Sequence, residues 1–111
     1  MTSREFALPW RAERENLLSA FLDANSQSSV AAVVSGLGFS PEQARGVREI
    51  LELALTDTMD SLLLGLDGAA SIGGRQESYQ LFSESGDQLS GAGRLEEAAW
   101  KVFQGESRDD A

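Results

Sequence analysis

Apolar residues recur at helical spacing in four stretches of the chain and alternate with polar residues in a fifth. The helical spacing predicts helices near residues 9–24, 29–36, 41–62 and 94–104. The alternating stretch, ESYQLFSESGDQLSG, predicts an antiparallel β-hairpin near residues 76–90 with its turn at SESGD. Together these elements predict an α+β fold, a helical domain with one short hairpin before the last helix.

The longest apolar periodicity begins after Ser40. Ser40, a proline at the next position and Gln43 have the residue types of a helix start, because the serine and glutamine side chains can cap each other's backbone amides. A wide apolar stripe then predicts the core-facing side of this helix. The stripe consists of Val47, Ile50, Leu51, Ala54, Leu55, Thr58, Met59 and Leu62. Leu53 and Leu63 lie off it, and we expect the helix to end near Leu62, with LLLGL continuing as an extended segment.

The second stretch, SVAAVVSGLGF, is short and apolar, so its pattern fits a buried helix or a buried strand. Ser29 as a cap and Gly36 or Gly38 as a stop favour the helix. Periodicity alone does not decide between the two.

Length and charge limit the classes of partner. The 111 residues predict one domain over 1–104, followed by a disordered acidic tail at 105–111. Eighteen acidic against nine basic residues give a net charge of −9, which repels nucleic-acid phosphates and anionic membranes and attracts basic proteins. The chain shows neither a signal-peptide pattern nor a long apolar run, so we expect a cytoplasmic protein without membrane contact.

The chain contains no cysteine and no histidine. Thiolate nucleophiles and disulfides are therefore excluded, and the commonest general base and metal ligand is missing. We expect a protein that is not an enzyme and needs no cofactor. The enzyme alternative is a metal-dependent hydrolase in which Asp57, Asp60 and Asp67 converge on a cation.

Two apolar residues, Trp100 and Leu53, do not follow the periodicity of their predicted helices. Tryptophan is enriched at binding hot spots, so contact with a partner is one interpretation. A second buried face for Trp100 and ordinary scatter for Leu53 are the alternatives. The predicted partner-binding residues are Trp100, Leu53, Glu49, Glu52 and Asp60. A hairpin this short is marginal alone, so a homodimer formed through its edge is a further expectation.

The segments LLLGLDGAASIGG, YQLF and GRLEEAAWKVF, with a glycine turn between the last two, resemble small bacterial proteins of this size, some of them similar to immunity proteins of toxin systems. The resemblance covers the C-terminal half. It implies an acidic inhibitor that binds a basic protein, and it transfers no functional residue. Type III secretion chaperones are also small, acidic and mixed α/β, so a homodimeric chaperone or structural protein is the alternative.

Overall fold

The computed structural model describes residues 1–105 and shows a mainly helical protein. Its four α-helices are α1 (Ser3–Leu22), α2 (Ser29–Leu37), α3 (Pro41–Leu66) and α4 (Arg94–Trp100), and a π-helical turn, Lys101–Gly105, continues α4. No β-strand occurs within residues 1–105, so the predicted α+β class is wrong. The predicted tail lies, apart from Gly105, outside the described residues.

Helix α1 begins earlier than the apolar pattern predicts. Thr2 and Glu5 cap each other: the Glu5 amide donates to Thr2 Oγ1 at 3.0 Å, and the Thr2 amide donates to Glu5 Oε1 at 2.9 Å. Pro9, at which the predicted helix begins, therefore lies inside the observed helix. The helix ends at Leu22, where the Asp23 side chain accepts the Asn25 amide and turns the chain.

Helix α2 confirms that residues 29–36 form a helix, which was the favoured prediction. The Ser28 hydroxyl accepts the amides of Val30 and Ala31, so the cap is one residue before the predicted one. Gly38 ends the helix in the left-handed conformation, φ 63°, which glycine adopts without strain.

Helix α3 begins as predicted and ends later. The Gln43 amide donates to Ser40 Oγ at 3.1 Å, and the Ser40 amide donates to Gln43 Oε1 at 3.0 Å, which confirms the capping box. The extended segment expected after Leu62 is wrong, because α3 continues to Leu66 and buries Leu63 completely. Burial of that side chain favours the extra helical turn.

The predicted hairpin at residues 76–90 is replaced by a turn with one isolated bridge, Phe82 to Gln88. The turn itself is confirmed, with Gly86 at φ 94°. The Ser90 hydroxyl explains why no ladder extends from it: Ser90 Oγ accepts the Leu81 amide at 2.9 Å and donates to the Tyr79 carbonyl at 2.6 Å. Backbone groups that a partner strand would bind are thus satisfied by a side chain, and no strand edge for a homodimer exists in the described chain.

The chain groups into two compact units whose boundaries fall inside α1 and α3. Within the described residues, the terminal unit combines Met1–Arg11 with residues 57–105, and the middle unit is Ala12–Thr56. The terminal unit holds most of the buried apolar residues: Ala7, Met59, Leu63, Leu89, Leu95, Ala98, Ala99, Val102 and Phe103. The prediction of one domain over 1–104 stays a prediction.

Candidate functional site

The first half of α3 is almost uncovered. Every residue from 40 to 50 is exposed except Val47, which is half-buried. Two large apolar side chains on this part of the helix, Ile50 and Leu53, are 66% and 57% exposed. They are three residues apart and so are neighbours on the helix surface.

Five side chains of α3 surround one shallow depression of about 380 Å³. Arg45 and Arg48 contribute the positive charges, Glu49 and Glu52 the negative ones, and Leu53 is its apolar member. Within residues 1–105, the structure gives none of these four charged side chains an ion pair or a hydrogen bond. We call these five residues together with Ile50 the α3 surface. Its charged groups are available to bind an external partner.

The middle unit buries little of its apolar surface. Among its residues only Leu18 and Ala31 form part of the buried apolar core. Helix α2 carries no charged residue, yet Val33 and Leu37 are each 62% exposed. Two helices of one unit therefore both present apolar side chains to solvent.

The predicted partner-binding residues separate into two groups. Leu53, Glu49 and Glu52 lie together on the α3 surface. Trp100 and Asp60 belong to the terminal unit and do not line that depression. The structure therefore brings three of the five predicted residues together around one depression.

Trp100 is 61% exposed, and its indole ring lies over Gly105, where an added Cβ would overlap the ring. Because Gly105 has no side chain, the indole ring can pack directly against the backbone at that position. Asp60 is half-buried, and its pKa is raised because burial penalises the charged form and because Asp57 is close.

The three aspartates of the metal alternative do not form a ligand group. Asp67 is only 6% exposed, and its two carboxylate oxygens accept the backbone amides of Gly91, at 2.6 Å, and Glu96, at 3.1 Å. In the described part of the chain, no three His, Cys, Asp or Glu side chains are arranged to hold a metal ion. Asp67 joins the end of α3 to the start of α4, which is a structural role.

A second cavity, of about 240 Å³, lies in the terminal unit and is lined by Thr2, Ser3, Arg4, Arg94, Glu97, Ala98 and Lys101. Its polar groups already bind one another or the backbone. Lys101 pairs with Glu97 at 3.0 Å, Arg94 Nη1 donates to the Ser90 carbonyl at 3.1 Å, and Ser3 Oγ donates to the Leu89 carbonyl at 2.6 Å. The Ser3 bond ties the start of α1 to the chain before α4, and the other two bonds lie within α4 and its π-helical continuation or join α4 to the residues before it.

Three residues of the α3 surface are absent from the predicted site. Ile50 was expected in the buried stripe, whereas the structure exposes it. Arg45 and Arg48 were not predicted, because the net charge of −9 indicates acidic residues as the groups that meet a basic partner. The available signal was the spacing of Ile50 and Leu53, which places two apolar residues beside a run of mixed charges.

No family model matches the chain, and no curated protein or solved structure matches it. The resemblance to immunity proteins therefore stays an expectation. Among residues 1–105, no helix has the length and apolar character needed to cross a bilayer.

Proposed function

We propose that this chain works by binding another protein through the α3 surface and not by catalysing a reaction. The observation that carries the proposal is the exposure of Ile50 and Leu53, at 66% and 57%, beside four charged side chains without partners in the described chain. Protein interfaces usually combine apolar contacts with polar and charged groups at their border, and here the charged groups lie along one side of the apolar pair.

The energetics favour covering these side chains. Moving a leucine or isoleucine side chain from water into an apolar contact stabilises by about 1.5–3 kcal/mol. The middle unit leaves this contribution unused at Ile50, Leu53, Val33 and Leu37. A partner that covers the α3 surface would recover part of it, at the cost of the freedom lost on association.

The composition supports binding over catalysis. With no histidine and no cysteine, the whole chain lacks the groups that most often move protons or attack substrates near neutral pH. The polar groups of the α3 surface are arginines and glutamates, which are suited to ion pairs with a partner protein.

Affinity capture with matched variants tests the proposal. The wild-type chain, Leu53→Lys and Asn16→Lys are each tagged and used as bait in extracts of the native host. Asn16 is exposed on α1, so its variant adds the same charge outside the α3 surface. We expect a protein, which can be the chain itself, to be recovered with wild type and Asn16→Lys and to be depleted roughly tenfold or more with Leu53→Lys, because hot-spot changes cost over about 1.4 kcal/mol. Equal recovery with all three baits would contradict the proposal.

A further inference from the structure

We infer that the partner of the α3 surface is a second copy of this chain, packed with the two α3 helices antiparallel. The inference rests on the proposed function and adds the identity of the partner. It is carried by the charge pattern of the surface.

The α3 surface is locally neutral although the whole chain is strongly acidic. Two arginines balance two glutamates beside Leu53, whereas the chain as a whole carries a net charge of −9. A basic partner would be attracted by the acidic chain as a whole, but at the α3 surface Arg45 and Arg48 would repel it. A second copy meets no net repulsion at this place.

The order of the charges makes the surface complementary to itself. Arg45 and Arg48 precede Glu49 and Glu52 along the helix. When two such helices cross antiparallel about a two-fold axis, the arginine end of each lies toward the glutamate end of the other. When Arg45 and Arg48 of one copy lie opposite Glu52 and Glu49 of the other, Leu53 of each copy lies at the edge of the contact, opposite position 44 of the other copy. A two-fold dimer requires a surface of this kind, in which each copy supplies what the other lacks.

Charge exchange provides the test. The acidic variant carries Arg45→Glu and Arg48→Glu, and the basic variant carries Glu49→Arg and Glu52→Arg. Each variant alone would place like charges on both copies, whereas an equal mixture pairs one acidic with one basic surface. Circular dichroism of each variant checks that its helices remain.

Sedimentation velocity over a wide concentration series supplies the readout. We expect the wild type and Asn16→Lys to dimerise, each charge variant alone to dissociate roughly tenfold or more readily, and their mixture to form a heterodimer. A monomeric wild type throughout the series, or a mixture that associates no better than its components, would overturn the inference. If the wild type is monomeric while a different protein is captured in a manner that depends on Leu53, the second copy is excluded and the proposed function stands.

Discussion

Gly65 lies directly beneath the side chain of Ile72. A Cβ added to Gly65 would overlap Cγ1 and Cδ1 of Ile72, so the isoleucine occupies the space that any other residue would need. Gly65 is buried within the last turns of α3, and Ile72 belongs to the small-residue loop that follows it. This contact fixes how the loop returns along the helix in the terminal unit.

Gly65→Ala should lower the free energy of unfolding by about 1–3 kcal/mol, since the new methyl group overpacks the contact with Ile72. Gly46→Ala, in the same helix but with open space around it, should instead raise stability by about 0.5–1 kcal/mol. Urea denaturation measures both. In an Ile72→Ala background the cost of Gly65→Ala should disappear. Equal effects at the two glycines would show that the contact does not exist in solution.

Asp67→Ala should cost roughly 3 kcal/mol, because it removes a buried carboxylate and leaves the amides of Gly91 and Glu96 without their acceptor. Asp67→Asn, which keeps one acceptor oxygen, should cost less. The exposed Asp57 is the control, and Asp57→Ala should change stability by no more than about 0.5 kcal/mol. Comparable losses at Asp57 and Asp67 in chemical denaturation would disprove the bridging role.

Asp60→Asn should stabilise the protein at neutral pH. The pKa of Asp60 is raised above 3.8 by burial and by Asp57, so the folded state holds this proton more tightly than the unfolded state. Its ionisation therefore destabilises the fold, with a penalty that is absent below the ordinary pKa and complete above the raised one. We expect a gain of roughly a few tenths of a kcal/mol, because solvent screens a half-exposed carboxyl.

Urea denaturation at neutral pH and again below the ordinary pKa of 3.8 tests this sign. The gain should vanish at the acidic pH. Glu13→Gln, on the exposed side of α1, controls for the loss of one negative charge. A gain from Asp60→Asn that is unchanged in acid, or one matched by Glu13→Gln, would disagree with this assignment.

Exposed and buried apolar residues of α3 should respond in opposite ways to substitution. Ile50→Lys and Leu53→Lys should each leave the free energy of unfolding within about 0.5 kcal/mol at concentrations where the chain is monomeric. Leu63→Ala should cost about 2–5 kcal/mol, because Leu63 is fully buried. Thermal or urea unfolding of the three variants measures these differences in stability. A large loss at Ile50 in the monomer would place it in a core and remove the main support for the α3 surface.

Local capping signals could be predicted from the sequence, since both partners lie within one turn. Ser40 and Gln43 form the predicted box, and Thr2 and Glu5 form an equivalent box that the proline at position 9 obscured. Helix existence was thus largely predictable. The fold class was not, because the Ser90 hydroxyl, nine residues from Leu81, takes the place of a strand partner.

The side of α3 that faces the core could not be predicted from its periodicity. A wide stripe permits several orientations, and the choice depends on which neighbours cover which turn. Ile50 lies in the stripe and is exposed, whereas Leu63 lies off it and is buried. For the same reason Ile50 was not predicted as a site residue, because its place in the stripe assigned it to the core.

Site-specific photo-crosslinking in living cells tests the binding role of the α3 surface most directly. A photoreactive amino acid replaces Leu53 in one variant and Asn16, exposed on α1, in another. We expect irradiation to attach a defined protein to the chain through position 53 and not through position 16. No adduct at position 53, or equal adducts at both positions, would contradict the account.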